Sequence, residues 1–576
     1  MSRSISFRTR THARIQFPEH PNVQLTEQEN DLYTLLDECV TWMKHEKGID
    51  TSCRVAGGWV RDKLLGSPSN DIDIALESIM GVSFAEHLVE FCSNVKKMEV
   101  EKIAKIESNP DRSKHLETAR TTVLGLELDL VNLRNEEYAE DSRIPTQVTF
   151  GTPLQDALRR DITINALFYN VHSRSVEDFT ERGLPDLRNG VIRTPLAPRE
   201  TFMDDPLRVL RCIRFASRLG FELDPELETS TRDPEIQEAL RDKISRERVG
   251  EEIDKMMKGR DPLRAIQLIH NLSLYDPIFH IPASVATELS SHPAPSHVAF
   301  AAASLLHVVT QGDDALPALH PLLKEVMKDK ATQARLYLAC ALRPFHGIAY
   351  QDKKKKTVPA VDAAIRESTK LGTQNHYLDG IPILFAAADR LRQPAIETYI
   401  GSETERVSIG LILKDRRMHN PHTGSYWPSS LLFSLICELV PLWDPTSDVL
   451  DSVRATERIN AYNAFVSRTE ELDLLRTVEA KSMLDGHDVV RILDAGKAGP
   501  WMTEVLHKVT VWELDNPSGT KEDCEAWLRA EHASGVIQIP APPATGGRQQ
   551  KVKVKRGNGT GVASAPKKPK IGGDQV

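Results

Sequence analysis

The sequence predicts an α+β, mostly helical protein: an N-terminal head with a small mixed β-sheet, followed by an all-helical neck, body and tail. Three observations carry this reading. Residues near 50–180 alternate helical stretches with β-branched runs such as IDIAL, TTVLGLELDLVNL and ITINALFYN, which read as strands or strand–helix junctions. From about Thr201 nearly every segment has the spacing of an amphipathic helix, among them DPLRVLRCIRFASRLG, ERVGEEIDKMMKG and PLRAIQLIHNL. A chain of 576 residues also exceeds what a single core can bury.

The elements divide as head 30–200, neck 201–275, and body with tail 276–535, between two basic ends. Residues 1–18 hold four Arg, several Ser and Thr and no acid, the composition of a mitochondrial targeting segment and equally of a plain basic chain end. Residues 540–576 are rich in Pro, Gly, Ala and Lys, so they should form no packed core. The clusters KVKVKR and PKKPK there resemble nuclear-import signals or a nonspecific RNA-contacting tail. The expected distribution is mitochondrion, nucleus and cytoplasm.

Composition narrows the class. Apolar content of 40% and charged content of 27% are ordinary for a globular protein, and no run of about 18 apolar residues exists to cross a membrane. Seven scattered cysteines, without a CxxC, argue against a disulfide framework or a zinc site. The net charge of −9 combines a +7 segment from Arg548 onward with −16 on residues 1–547. An acidic body binds RNA, if at all, through local patches. KKKK at 353–356 reads as a solvated loop, and His487-Asp488 lacks the further spaced ligands that a metal phosphohydrolase needs.

Chemistry concentrates in three motifs. In RVAGGWVRDKLLGSPSNDIDIAL a short strand enters Gly57-Gly58 and then a helix from Trp59, where glycines admit a phosphate and the helix start offers free N–H groups. Arg61 in the first turn is placed to clamp a triphosphate, although a plain turn explains Gly-Gly alone. In Asn70-Asp71-Ile72-Asp73-Ile74 the two aspartates share one face of a strand and the isoleucines the other. Two adjacent carboxylates repel unless a cation lies between them, which suits Mg²⁺ with substrate phosphates.

This segment resembles the signature of the polymerase-beta-type nucleotidyltransferases, and more narrowly the class II tRNA nucleotidyltransferases and bacterial-type poly(A) polymerases. The resemblance implies Asp71 and Asp73 as catalytic metal ligands and Gly58 and Arg61 as nucleotide contacts, with Gly57 in the same turn. Asp129, which shares a face with Glu127 in GLELDLVNLR, is a candidate third carboxylate or a solvated strand edge. ESNPDRSKH at 107–115 resembles the family's mobile loop. In LRRDITINALFYN the family's Arg-Arg-Asp signature falls on Arg159, Arg160 and Asp161. It implies a phosphate contact for Arg160 and a ribose contact for Asp161, where a structural ion pair is the alternative.

The third motif, MDDPLRVLRCIRF, places Asp205, Arg208, Arg211 and Arg214 at steps of three along one helix, as a slanting ridge. An Asp beside an Arg accepts from the exocyclic amino group of cytosine or adenine and donates to their ring acceptors. Uracil and guanine present a carbonyl to the carboxylate and are refused by an unpaired buried polar group. The family motif with this role maps onto Asp204, Asp205 and Arg208, while Arg211 and Arg214 match further nucleotide-contacting arginines. DLRNGVIRTP resembles the connection between head and neck. SRERVGEEIDKMM resembles the next neck helix, in which Arg246, Arg248 and Glu252 brace the site.

The implied activity is CCA addition to the 3′ end of tRNA from CTP and ATP, without a nucleic-acid template. Two Mg²⁺ would activate the terminal hydroxyl for in-line attack on the α-phosphate. The expected partners are tRNA, CTP and ATP, with no membrane and no evident obligate protein partner. The alternatives are a poly(A) polymerase, a partial enzyme adding only C or only A, and a tRNA-binding protein that has lost catalysis.

Overall fold

The computed structural model describes residues 5–7, 13–19, 21–98, 104–106, 118–137, 147–392, 394 and 404–539; at 104–106, 118, 135–137 and 147–148 it describes the backbone alone. The expected loop at 107–115 and the basic tail 540–576 lie outside these residues. The chain forms two compact units, 1–479 and 480–576.

The first unit opens with α1 (Glu27–Trp42), started by a capping box in which Thr26 and Glu29 exchange side-chain and backbone hydrogen bonds. Glu29 is buried by further duties: it accepts from the Trp59 indole at 3.1 Å and pairs with Lys63 at 2.7 Å. Next come β1 (Cys53–Ala56), α2 (Gly58–Leu64), β2 (Ile72–Leu76) and α3 (Gly81–Phe91). β3 (Ala104–Ile106), β4 (Thr118–Val123) and β5 (Leu126–Asn132) follow, then a separate hairpin of β6 (Arg134–Glu137) and β7 (Gln147–Phe150). α4 (Pro153–Leu158), β8 (Phe168–Asn170), β9 (Ser175–Glu177) and α5 (Gly183–Asn189) complete the head.

Its sheet runs β3-β4-β5-β2-β1-β8-β9. β2 and β5 pair in parallel and the other neighbours are antiparallel, so the sheet is mixed, as the strand–helix alternation predicts. TTVLGLELDLVNL resolves into the β4–β5 hairpin, turned at Leu124 and Gly125, both with positive φ. ITINALFYN becomes a tight turn at Thr163–Asn165 followed by β8.

β10 (Val191–Ile192) and α6 (Pro198–Asp204) lead from the head into the neck, which holds α7 (Leu207–Leu219), β11 (Glu222–Leu223), α8 (Pro225–Thr231), α9 (Pro234–Asp242), α10 (Arg246–Met257) and α11 (Pro262–Asn271). Asp224, Asp233 and Asp261 each cap a helix that has proline in its first turn. The body is built from longer helices, among them His297–Gln311, Lys330–Ala341, Tyr377–Arg390, Trp427–Leu439 and Ser452–Glu471.

The helical region is not purely helical. β10 pairs with β11, and short antiparallel pairs join 349–351 to 357–359 and 443–444 to 449–450. Two- and three-residue ladders are too short to leave a period-2 pattern. The Lys353–Lys356 run is the exposed turn of one of them.

Residues from the expected targeting segment contact the folded unit. Phe7 is 1% exposed against Phe300 and Trp443, its N–H donates to Asp448, and the Ile15 N–H donates to the Leu219 carbonyl. The second unit has its own core, with Leu484, Val489, Val509 and Leu528 buried among the helices Gly486–Ile492, Met502–Asp515 and Lys521–Ala533. Asp488 there pairs with Arg491 and Lys521, which accounts for it structurally. All seven cysteines are buried and free, and no described helix is long and apolar enough to cross a membrane.

Candidate active site

The parallel pairing of β2 with β5 sets Asp73 directly opposite Asp129. Asp71 lies two residues before Asp73, so both carboxylates project from one face, while Ile72 and Ile74 enter the core. Ligand oxygens of Asp71, Asp73 and Asp129 all lie within 4.8 Å of one another. Burial, and then the Asp71 charge, pushes the Asp73 carboxyl up to about 6. Three hard oxygen donors gathered at mutual electrostatic cost fit a divalent cation such as Mg²⁺.

Asp129 stands apart from the other two. β5 lies between β4 and β2, so Asp129 is on an interior strand rather than an edge. Arg120 faces it across the β4–β5 ladder and grips both its oxygens, at 2.7 and 2.8 Å. Its charge is thus shared before any metal arrives.

Gly57 joins β1 to α2 with φ +75°, and a Cβ there would lie 2.8 Å from Nη1 of Arg160. Glycine therefore does two things here: it permits the turn and it admits the arginine. Arg160 is held by Asp156 at 2.8 Å and by the Asn165 carbonyl at 3.1 Å, with its guanidinium over the Phe168 ring. Arg61, only 2% exposed, pairs with Asp62 at 2.8 Å and donates to the Asn165 side chain. Burial lowers its pKa, opposed by the Asp62 charge. Gly58 opens α2 with the Arg61 guanidinium beside it.

Asp161 is buried, and its four lone-pair positions meet four donors: the Ile162 N–H, the Asn165 amide, and Nε and Nη2 of Arg211. Burial raises its pKa, but Arg211 and the Asn165 hydrogen bond outweigh that and hold the carboxyl below the usual range. In this conformation a ribose hydroxyl reaches Asp161 only by displacing one of these donors.

α7 carries Arg208, Arg211 and Arg214 along one ridge, as the spacing predicts, with Arg208 buried and the other two half-buried. Asp205 does not share that helix. It caps the C-terminus of α6 in an extended conformation (φ −140°, ψ 95°), because the residue before a proline is disfavoured in the α region and Pro206 follows. The expected ridge of four thus becomes three arginines on a helix with an aspartate at its approach. Arg208 donates to the Arg159 carbonyl at 2.7 Å, and Arg248 of α10 holds both oxygens of Asp205, at 2.7 and 3.3 Å. The Arg208 N–H donates to the Asp205 carbonyl at 3.0 Å, but among the described residues their side chains share no hydrogen bond or ion pair. Arg214 pairs with Glu252 of α10 at 2.6 Å. The guanidinium carbons of Arg214, Arg61 and Arg211 lie 4.1, 4.9 and 5.9 Å from the Phe215 ring centre.

The structure places the candidate residues at the start of β2, on β5, in the β1–α2 turn and the first turn of α2, in the segment after α4, and on the approach and arginine ridge of α7. Sequence reasoning passed over Asp62, Arg120, Asp156 and Asn165, which hold Arg61, Asp129 and Arg160 in place. The i+3 and i+4 spacing of Asp156 from Arg159 and Arg160 was a readable signal. The Arg120–Asp129 pairing required the strand register.

Residues 53–193 match the poly A polymerase head domain, and residues 220–284 match a domain described as the probable RNA and SrmB-binding site of polymerase A. The chain is 35% identical over 545 residues to the mitochondrial CCA tRNA nucleotidyltransferase of Saccharomyces cerevisiae, covering 88% of this chain and 94% of the relative. It is 36% identical over 530 residues to the corresponding mitochondrial protein of Candida glabrata, covering 88% and 96%. Its fold is similar to that of the Bacillus stearothermophilus CCA-adding enzyme solved with CTP, with a TM-score of 0.52 at 20% identity over 89% of this chain and 99% of that one.

Proposed function

This chain belongs to the family of CCA tRNA nucleotidyltransferases, and on that premise we propose that it adds C, C and A to the 3′ end of tRNA from CTP and ATP without a nucleic-acid template. The observation that carries the reading is the Asp71–Asp73–Asp129 cluster in the same unit as the Arg159–Asp161 segment, which meets the Gly57 turn on one side and Arg208 and Arg211 of α7 on the other.

Asp71 and Asp73, with Asp129 beside them, would hold Mg²⁺. The metal, when bound, lowers the pKa of an attacking hydroxyl and neutralises charge on the departing pyrophosphate. The chain's own residues do the rest. The Gly57-Gly58 turn and Arg160 form the wall against which a triphosphate lies, and the guanidinium fork suits bidentate phosphate contact. Arg211 and Asp161 form an ion pair whose exchange of partners makes room for a ribose. Asp205 accepts from an exocyclic amino group and Arg208 donates to the adjacent ring acceptor, which selects cytosine and adenine.

The mitochondrial names of two yeast relatives and the arginine-rich, acid-free start of the chain support a mitochondrial pool. A nuclear pool rests on the PKKPK cluster. Import that survives deletion of residues 1–18 would remove the N-terminal part of that support.

The test is incorporation on tRNA lacking its last three nucleotides, with CTP, ATP, UTP and GTP supplied singly and together. Two Cs followed by one A, abolished in Asp71→Ala, is the expected result. Unlimited A addition would identify a poly(A) polymerase, addition of C alone or A alone a partial enzyme, and tight tRNA binding without addition an inactive binder.

A further inference from the structure

We propose that Arg248 sets the nucleotide selectivity of the site by fixing the plane of the Asp205 carboxylate, from a helix whose position is itself set by the body of the protein. The inference rests on the reading of Asp205 as the base-selecting carboxylate.

The argument starts from lone pairs. Oδ1 of Asp205 accepts from Nη1 of Arg248 at 3.3 Å and from the Leu207 N–H at 3.2 Å, which fills both of its positions. Oδ2 accepts from Nη2 of Arg248 at 2.7 Å, which fills one of its two. Among the described residues, a single acceptor direction on Oδ2 remains for an incoming base. A planar guanidinium gripping both oxygens prevents the carboxylate from rotating about its own bond, an otherwise soft torsion. An exocyclic amino group meets that lone pair, whereas the carbonyl of uracil or guanine meets it as a repulsion that the pinned carboxylate cannot turn away from. Without Arg248 the carboxylate swings aside, and the cost of admitting the wrong base falls.

Arg248 is in turn held by its helix. α10 begins with Arg246, which donates to the carbonyls of Ser368 at 2.6 Å, Pro277 at 3.1 Å and Ile278. One turn on, Gly250 lies so close to the body that a Cβ would come within 1.8 Å of the Thr369 carbonyl oxygen. A further turn on, Asp254 accepts from the Tyr377 hydroxyl at 2.8 Å. Three residues, one per turn, seat α10 against Pro277 and Ile278 and the body segments 364–369 and Tyr377–Arg390. A displacement of those segments moves Arg248, and Arg248 moves the selecting carboxylate. Arg248 is thus a positioning residue that links the helical body to the choice of nucleotide.

The experiment compares wild type, Arg248→Lys and Arg248→Gln in single-nucleotide incorporation with CTP, ATP, UTP and GTP. tRNA affinity and Tm are measured in parallel on the full chain. The expected result is a 10- to 100-fold loss in the ratio of CTP to UTP kcat/KM for Arg248→Gln, with Tm and tRNA affinity held. Arg248→Lys, which keeps the charge and loses the fork, should fall between. A purely structural role would lower turnover on all four nucleotides alike, and that outcome overturns the proposal. So does unchanged selectivity with a lower KM for CTP and ATP, which would make Arg248 a competitor for Asp205. If wild type itself fails to add C, C and A, the functional reading falls; if wild type succeeds and both variants select as it does, only the role of Arg248 falls.

Discussion

Replacing Asp73 with asparagine should make the metal-free protein more stable while removing its activity. The Asp73 carboxyl is raised from 3.8 to about 6 by burial and by the charge of Asp71. A group whose folded pKa is raised contributes stability below its unfolded pKa, and that contribution is lost as pH rises from about 4 through about 6. At 1.36 kcal/mol per pH unit this amounts to about 3 kcal/mol, and to about 1–3 kcal/mol once solvent screening of the partly exposed side chain is included. Asparagine keeps the shape and removes the charge. In buffer containing a chelator at pH 8, Asp73→Asn should therefore unfold about 1–3 °C above wild type, the shift expected for a unit of this size, with the gap closing toward pH 4. Added Mg²⁺ should raise the Tm of wild type more than that of the variant, because a ligand that binds only the folded state stabilises it. Thermal melts across pH, with and without Mg²⁺, measure all of this. A variant less stable than wild type at pH 8 without metal would refute the picture of carboxylates held together at electrostatic cost.

Other perturbations separate the supporting residues. Arg211→Met leaves the buried Asp161 carboxylate without its main partner and should cost about 3–5 kcal/mol in chemical denaturation. Gly57→Ala must strain a φ of +75° and crowd Arg160, so a loss of about 1–3 kcal/mol should accompany a higher KM for the nucleotide. Phe7→Ala removes a buried ring from against Trp443 and Phe300 and should lower stability by about 3 kcal/mol, where a side chain belonging only to a leader would leave the Tm unmoved. Arg120→Gln frees Asp129 and should change the Mg²⁺ dependence of incorporation with little effect on KM for tRNA.

Local physics made much of this protein legible in the chain itself. Alternation in Asp71-Ile72-Asp73-Ile74 requires two carboxylates on one face and two isoleucines on the other, whatever the strand pairs with. The run of arginines from Arg208 to Arg214 is a helix face because only apolar residues occupy the complementary positions. The placement of Asp205 was also within reach of the sequence, since Pro206 forbids it a helical backbone, yet even spacing by threes obscured that. The Asp-Pro pairs that start α8, α9 and α11 are equally local.

What the tertiary structure decided is every contact whose partners lie far apart in the chain. Strand register brings Asp129 to Asp73 and Arg120 to Asp129, and nothing in either segment encodes that alignment by itself. Packing brings α10 against the body, and so delivers Arg248 to Asp205 across 43 residues. It also seats Phe7 beside Asp448, an interaction spanning 441 residues, in a stretch whose composition alone reads as a targeting segment. Side-chain period and proline act within a few residues, where chain connectivity already sets the geometry. Selection of one charged partner among many distant ones depends on the free energy of the whole packed unit, and that exists only once the chain has folded.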